Sequence, residues 1–315
     1  MKIFLTLFVS LFYYSILSAQ DSQFTMPYSS LMDLNPAFAG SSGCSRIAGG
    51  YRNQWPNISG SFVSSYLSYD QYLKILKGGL GVNYEGSYAG QGSIKTNRIS
   101  GVYSVHFPVF KNKFVICPAI EGAYARKKLD WSKMDFGTLI GGYGYIYNTS
   151  APQNKEVVSY PDFSAGVIGY NKRFYGGVVV FHLAEPEEGF LFSDSPLPRK
   201  YVGHFGMNIG NVDSAKAFSI SPSVLYLQQE DFRSLTVNCA VKYDKYILGV
   251  GLRNGDALLF SAGFKSRTFR FSYSYDLTIS KLGVVTAGSH EVALSYVFNR
   301  KHKPDNFLSF SSAVF

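Results

Sequence analysis

"FRFSYSYD", residues 269–276, sets the large rings of Phe269, Phe271, Tyr273 and Tyr275 in strict alternation with Arg270, Ser272, Ser274 and Asp276. Successive side chains of a strand point to opposite faces, so this stretch has one aromatic side and one polar side. The same period recurs along the chain. In "FSISPSVLYL" Phe218, Ile220, Pro222, Val224 and Tyr226 oppose Ser219, Ser221 and Ser223, and in "LTVNCAVKY" Leu235, Val237, Cys239, Val241 and Tyr243 oppose Thr236, Asn238 and Lys242. "ICPAIEGAY" sets Glu121 among small residues, opposite Ile116, Pro118, Ile120 and Tyr124.

Composition says which solvent each face meets. Charged residues make up 16% of the 315, against about 25% in ordinary globular chains. Aromatic residues make up 17%, yet the hydrophobic share is an ordinary 46%. Rings facing lipid around a lumen of small polar groups reconcile these figures. A secreted β-sandwich would instead need a buried aromatic face on nearly every strand. The N-terminus fits export: Lys2, the apolar run Ile3–Leu17 and Ser18-Ala19-Gln20 read as a signal peptide cleaved after Ala19 or Gln20. That run falls short of the roughly 20 apolar residues of a spanning helix.

The alternation marks about fourteen strands, near 45–55, 60–70, 77–87, 95–108, 113–126, 161–170, 173–183, 199–210, 216–228, 231–243, 245–253, 256–265, 267–279 and 287–298. The long connections, 127–160, 184–198 and 279–287, all follow odd-numbered strands. Short turns at one rim and long loops at the other are the habit of outer-membrane barrels. The fold expected is therefore all-β, an up-and-down antiparallel transmembrane barrel. Residues 1–19 are read as signal peptide, 20–44 as a periplasmic or lumenal N-terminal segment, 45–298 as barrel and 299–315 as tail, with the N-terminus in the periplasm. Pro118 and Pro222 stand inside strands, where each removes a ladder hydrogen bond. Trp55 and Tyr69 suit an interfacial girdle.

Chemistry is sparse. The net charge of +9 is scattered over turns such as "KNK" at 111–113 and "KSR" at 265–267, which disfavours a nucleic-acid surface. Cys44, Cys117 and Cys239 are an odd number, and parity sets Cys117 inward and Cys239 outward, against a bond between them. No nucleophile elbow, zinc motif or phosphate loop is present, so no catalytic, cofactor or metal residues are assigned and the chain is read as no enzyme. "GGYGY" at 141–145 reads as flexible, ring-bearing loop surface. Parity puts His106, His182 and His204 on the polar face with Arg52, Glu121, Arg253, Arg270, Asp276 and Glu291. Either they bind a plug or an inserted partner, or the interior is simply polar.

"LNPAFAG" at 34–40, "YRNQWP" at 51–56, "DFSAGVIGY" at 162–170, "YGGVVVFHLAEP" at 175–186 and "SHEVALSYVF" at 289–298 resemble the PorP/SprF family of Bacteroidetes outer-membrane proteins. The likeness runs from about residue 22 to 298. It implies a barrel of the type IX secretion and gliding system. Some members contact its periplasmic ring components, and others hold a secreted adhesin with a characteristic C-terminal domain at the cell surface. Many members end in a Cys-Pro-x-Phe-like tail, whereas this chain ends "SSAVF" and keeps only Phe315. The carried-over residues are Asn35, Pro36, Ala37, Ala39, Gly40, Tyr51, Arg52, Asn53, Gln54, Trp55, His182, Leu183, Pro186, His290 and Glu291. Pro36 restricts Asn35 to an extended shape, Gly40 permits a turn, and Arg52 with Gln54 point inward to hold residues 21–44 in or under the lumen. The reading is an outer-membrane barrel that anchors or helps to export a surface protein. The alternatives are a diffusion porin or small-molecule transporter, and an outer-membrane enzyme.

Overall fold

The computed structural model describes residues 21, 23–26, 29–58, 60–90, 92–111, 113–133, 140–141, 144–145, 155–190, 195–210, 218–279 and 286–298. The stretches read as signal peptide (1–19) and tail (299–315) lie outside them. Fourteen antiparallel strands form the wall: β1 (Arg46–Gln54), β2 (Phe62–Leu73), β3 (Gly78–Ala89), β4 (Ile94–Val105, continued by Phe107–Val109), β5 (Phe114–Leu129), β6 (Val157–Tyr170) and β7 (Phe174–Phe181). The second half comprises β8 (Lys200–Met207, continued by Ile209–Gly210), β9 (Phe218–Gln229), β10 (Phe232–Tyr243), β11 (Tyr246–Arg253), β12 (Ala257–Lys265), β13 (Phe269–Thr278) and β14 (Ser289–Val297). Each pairs with its neighbours in sequence, and β1 pairs with β14 from Arg46↔Val297 to Gln54↔Ser289, so the sheet closes and no edge strand is left.

Strand β13 shows the two faces. Phe269, Phe271 and Tyr273 are 40%, 40% and 38% exposed, whereas Ser274 and Asp276 are 0% and 2% exposed. Rings and aliphatic chains cover the outside of every strand, and the buried positions of the wall are rich in Ser, Ala, Gly and charged residues. Pro118 and Pro222 sit within β5 and β9, and pairing continues through both, to Val167 and Cys239. Cys117 is buried and Cys239 half-buried, and none of the three cysteines is in a disulfide.

Two differences from the sequence reading have simple causes. The hairpin β5–β6 is longer than its alternation suggested, reaching Leu129 and starting at Val157, because backbone pairing from Lys128↔Val157 onward persists where the side chains no longer alternate apolar and polar. Within the connection, "GGYGY" is not all open loop: Ile140–Gly141 pairs with Gly144–Tyr145. Strands β4 and β8 are also interrupted, at His106 and Asn208, each turning a polar side chain into the interior.

Leu294 stands mid-strand on the outer face, 47% exposed. Leu294→Arg is expected to destabilise the membrane-inserted barrel by about 2–4 kcal/mol in urea unfolding from liposomes, whereas Ala293→Ser, one step along on the lumen face, changes it by under about 1 kcal/mol.

Candidate functional site

The interior of the barrel is occupied by the chain's own N-terminal segment. Its start lies at the rim carrying the long connections: Asp21 meets His182, which follows β7, Lys200, which opens β8, and Gln229, which ends β9. Its end lies at the rim of short turns, where Ala39 and Gly40 meet the end of β2, the start of β3 and the end of β4. The segment therefore runs the height of the lumen before Arg46 begins the wall.

Local sequence sets its shape. Leu31–Leu34 makes one helical turn, and Asn35, extended at φ −162° as its following proline demands, caps the short 3-10 turn Pro36–Phe38 by accepting from the Ala37 N–H at 3.0 Å. The Asn35 amide donates to the Val178 carbonyl at 3.2 Å and lies 3.4 Å from His204 Nε2. Gly166 on the facing strand leaves room for its side-chain oxygen, which a Cβ would strike. Gly40 turns the chain at φ +72° and lies against Gly79, where a Cβ would collide with the Ala39 carbonyl. His106 Nε2, 3.0 Å away, and the Ser104 hydroxyl, donating at 2.7 Å, serve that carbonyl, and Asp70 accepts the Gly40 N–H at 2.8 Å.

Two kinds of packing hold the segment. On one side Leu31, Leu34, Ala37 and Phe38 enter an apolar cluster with Val115, Cys117, Ile168, Tyr170, Tyr175, Val179, Phe181, Val202 and Leu225 from β5 to β9. This wall departs from the polar lumen expected from composition. It is legible afterwards as the inward parity of these strands, and burying Phe38 completely contributes about 1.5–3 kcal/mol. On the other side stands a charged cluster. Arg52 Nη2 bonds Asp276 Oδ2 at 2.9 Å and Nη1 lies 3.5 Å from Glu291 Oε2, while Arg253 reaches the same Asp276 oxygen at 3.3 Å. The Thr25 and Met26 N–H groups donate to Glu291 at 2.6 and 3.1 Å, and the Thr25 hydroxyl donates to Asp276 at 2.7 Å and accepts from Arg52.

A second charged cluster joins the wall to the start of the segment. Arg98 pairs with Glu85 at 2.9 Å, with Glu121, and with Asp162 at 3.7 Å. Asp162 holds His182 Nδ1 at 2.8 Å, and His182 Nε2 in turn holds Asp21 at 2.8 Å. His182 takes a left-handed φ of +58° at the end of β7, a conformation uncommon outside glycine, which aims its ring between the two carboxylates. Burial disfavours charge on His182, but Asp21 and the hydrogen bonds to Asp162 and Asp21 outweigh it and push the imidazole up to about 9. Burial likewise opposes ionisation of Asp21, and Lys200 and His182 overcome it, holding this carboxyl well below its usual range.

Of the residues singled out in the sequence, Arg52, Arg253, Asp276 and Glu291 form one cluster; Asn35 and His204 meet; His106 meets Ala39; Glu121 and His182 belong to the second cluster. Pro36 lies in the segment itself. Arg270 lines a cavity of about 60 Å³ left between Ser29 and the inner faces of β9–β13. Tyr51 points outward, 50% exposed, Gln54 is half-buried, and Trp55 packs edge-on against Phe62 at the long-connection rim. The motifs do not single out Arg98, Asp70, Asp162 and Lys200, although the parity that marks Glu121 and His204 sets all four inward. For Asp21 and Thr25, outside any strand pattern, no such signal exists.

Residues 16–296 match the family described as type IX secretion system membrane protein PorP/SprF. The chain belongs to that family. It is thus a type IX secretion outer-membrane barrel. No curated protein matches it. Among solved structures it is similar to outer membrane protein Omp33 of Acinetobacter baumannii (TM-score 0.45, 10% identity, covering 82% of this chain and 100% of that one) and to the Pseudomonas putida toluene transporter TodX (0.43, 9%, 90% and 95%). It is also similar to the KdgM porin (0.40, 10%, 81% and 99%).

Arg52→Ala leaves Asp276 and Glu291 buried without their main cation, and is expected to cost about 3–5 kcal/mol and to expose residues 21–44 to protease in membranes; unchanged protection would contradict the clamp. The Asp21–His182 pair also gives a pH dependence. His182, raised, contributes fully below its ordinary 6.5 and loses its contribution as pH rises through about 9. Asp21, lowered, contributes fully above 3.8 and loses its contribution as pH falls through its depressed value. Protease protection of the start of the segment is therefore expected to be greatest between these limits and to fall at either extreme.

Proposed function

We propose that this barrel is a non-enzymatic anchor or export factor that binds a secreted, adhesin-type surface protein bearing a type IX C-terminal domain, with periplasmic ring components of the secretion machine as further contacts. The single observation that carries the reading, beside family membership, is the filled lumen. A diffusion pore needs an aqueous path, whereas here Leu31–Gly40 packs into an apolar wall and Thr25 closes a ring of buried ion pairs. A barrel closed in this way offers rims and loops for binding.

The short-connection rim is placed in the periplasm and the long connections outside, as in other barrels of this class. On that placement the segment rises from the periplasmic side at Cys44 to the outer side at Asp21.

Pull-down from detergent-solubilised outer membranes tests the reading. Recovery of one large secreted protein is the expected result for an anchor and of ring proteins for an export subunit; recovery of neither contradicts both. In planar bilayers the purified barrel is expected to show no steady unitary current. Steady currents would favour the porin alternative instead.

A further inference from the structure

The cradle around Asp21 has the form of a ligand site occupied by a piece of its own chain. Lys200 Nζ donates to Asp21 Oδ2 at 2.6 Å, His182 Nε2 approaches the same oxygen at 2.8 Å, and the Asp21 N–H reaches Gln229 Oε1 at 3.4 Å. The Lys200 ammonium also lies 4.6 Å from the centre of the Phe181 ring. These cradle side chains come from the wall and are themselves fixed: Asp162 orients His182 from behind, and the His182 and Lys200 side chains are 7% and 15% exposed. The Asp21 side chain is the more open partner at 27%, so the cradle faces solvent on the side where Asp21 sits.

What holds the rest of the segment lies deeper. Thr25 on Glu291 and Phe38 in the apolar cluster keep it in place whether or not Asp21 is bound. Withdrawing Asp21 thus costs only the contacts of the cradle and leaves a lysine and a histidine facing an opening. With Asp21 withdrawn His182 keeps Asp162 on Nδ1, but its Nε2 and the Lys200 ammonium lose their shared carboxylate oxygen, and two such donors side by side suit an external one.

We infer that His182 and Lys200 form a docking point for a carboxylate on an extended segment of the exported partner, and that Asp21 fills it in the free barrel as an internal stand-in. This rests on the anchoring reading. The wall would bind the incoming carboxylate by the same two donors that now hold Asp21, and the released end of the segment would move aside. Self-occupancy raises the apparent Kd for a competitor by the reciprocal of the fraction of time the cradle is open, so a tenfold effect corresponds to a cradle filled about nine-tenths of the time.

The test uses the full-length barrel in detergent and a fluorescein-labelled peptide, "GSGSGD" with an amidated C-terminus, followed by fluorescence polarisation. Asp21→Asn is expected to bind it at least about tenfold more tightly than the wild type. The further change Lys200→Gln is expected to abolish that gain, and the control peptide "GSGSGN" is expected not to bind. Equal binding to wild type and Asp21→Asn, or binding indifferent to Lys200→Gln, overturns the inference. Heat-modifiable migration on gels verifies that each variant is folded, and His182→Gln serves in place of Lys200→Gln should the latter fail to fold. Pull-down separates the two readings: a partner recovered equally from wild type, Asp21→Asn and Lys200→Gln leaves anchoring intact and removes the cradle, while no partner from any of them removes anchoring.

Discussion

A closed wall of fourteen strands encloses more space than small inward side chains can fill, so the interior must take either water or more polypeptide. In this chain the inward face is thinned to Ser, Ala and Gly over much of its area, and the space so made is taken by residues ahead of the first strand. The constraint explains several features together. Gly79 and Gly166 are glycines because Ala39 and Asn35 lie against them, and Arg52 is tolerated in a buried position because Asp276, Glu291 and Thr25 surround it.

The segment is held by complementary means on its two sides. The apolar cluster gains from burial and tolerates small adjustments, as hydrophobic packing does. The charged clusters are less forgiving, since each carboxylate there is withdrawn from water and depends on its partners. Arg98, shared among Glu85, Glu121 and Asp162, and Arg52, shared between Asp276 and Glu291, are the points at which loss of one side chain leaves several others unsatisfied. That arrangement favours one fixed path for the segment through the lumen.

Most of the wall was legible in the sequence because a strand between lipid and a polar interior writes its period into every second residue. "FRFSYSYD" and "ICPAIEGAY" gave both strand and facing direction, and the distribution of long connections gave the order of the rims. The interior was less legible. Inward parity located Arg52, Glu121, Asp276 and Glu291, but not which of them meet, since strands far apart in sequence bring them together. The path of residues 21–44 carried only local signals, the Asn35-Pro36 pair and Gly40; that Thr25 and Asp21 sit on wall residues more than 150 positions away follows from three-dimensional packing alone. The apolar patch from Val115 to Leu225 was hidden for another reason: on β5 to β9 both faces carry apolar side chains, which blurs alternation.

Hydrogen–deuterium exchange on the barrel in outer-membrane vesicles tests the lumenal path most directly. The account predicts that the amides of Thr25, Leu34, Asn35 and Gly40, each bonded within the interior, exchange as slowly as those of the neighbouring strands. Exchange of these amides at the rate of an open loop, with the strands still protected, would contradict it.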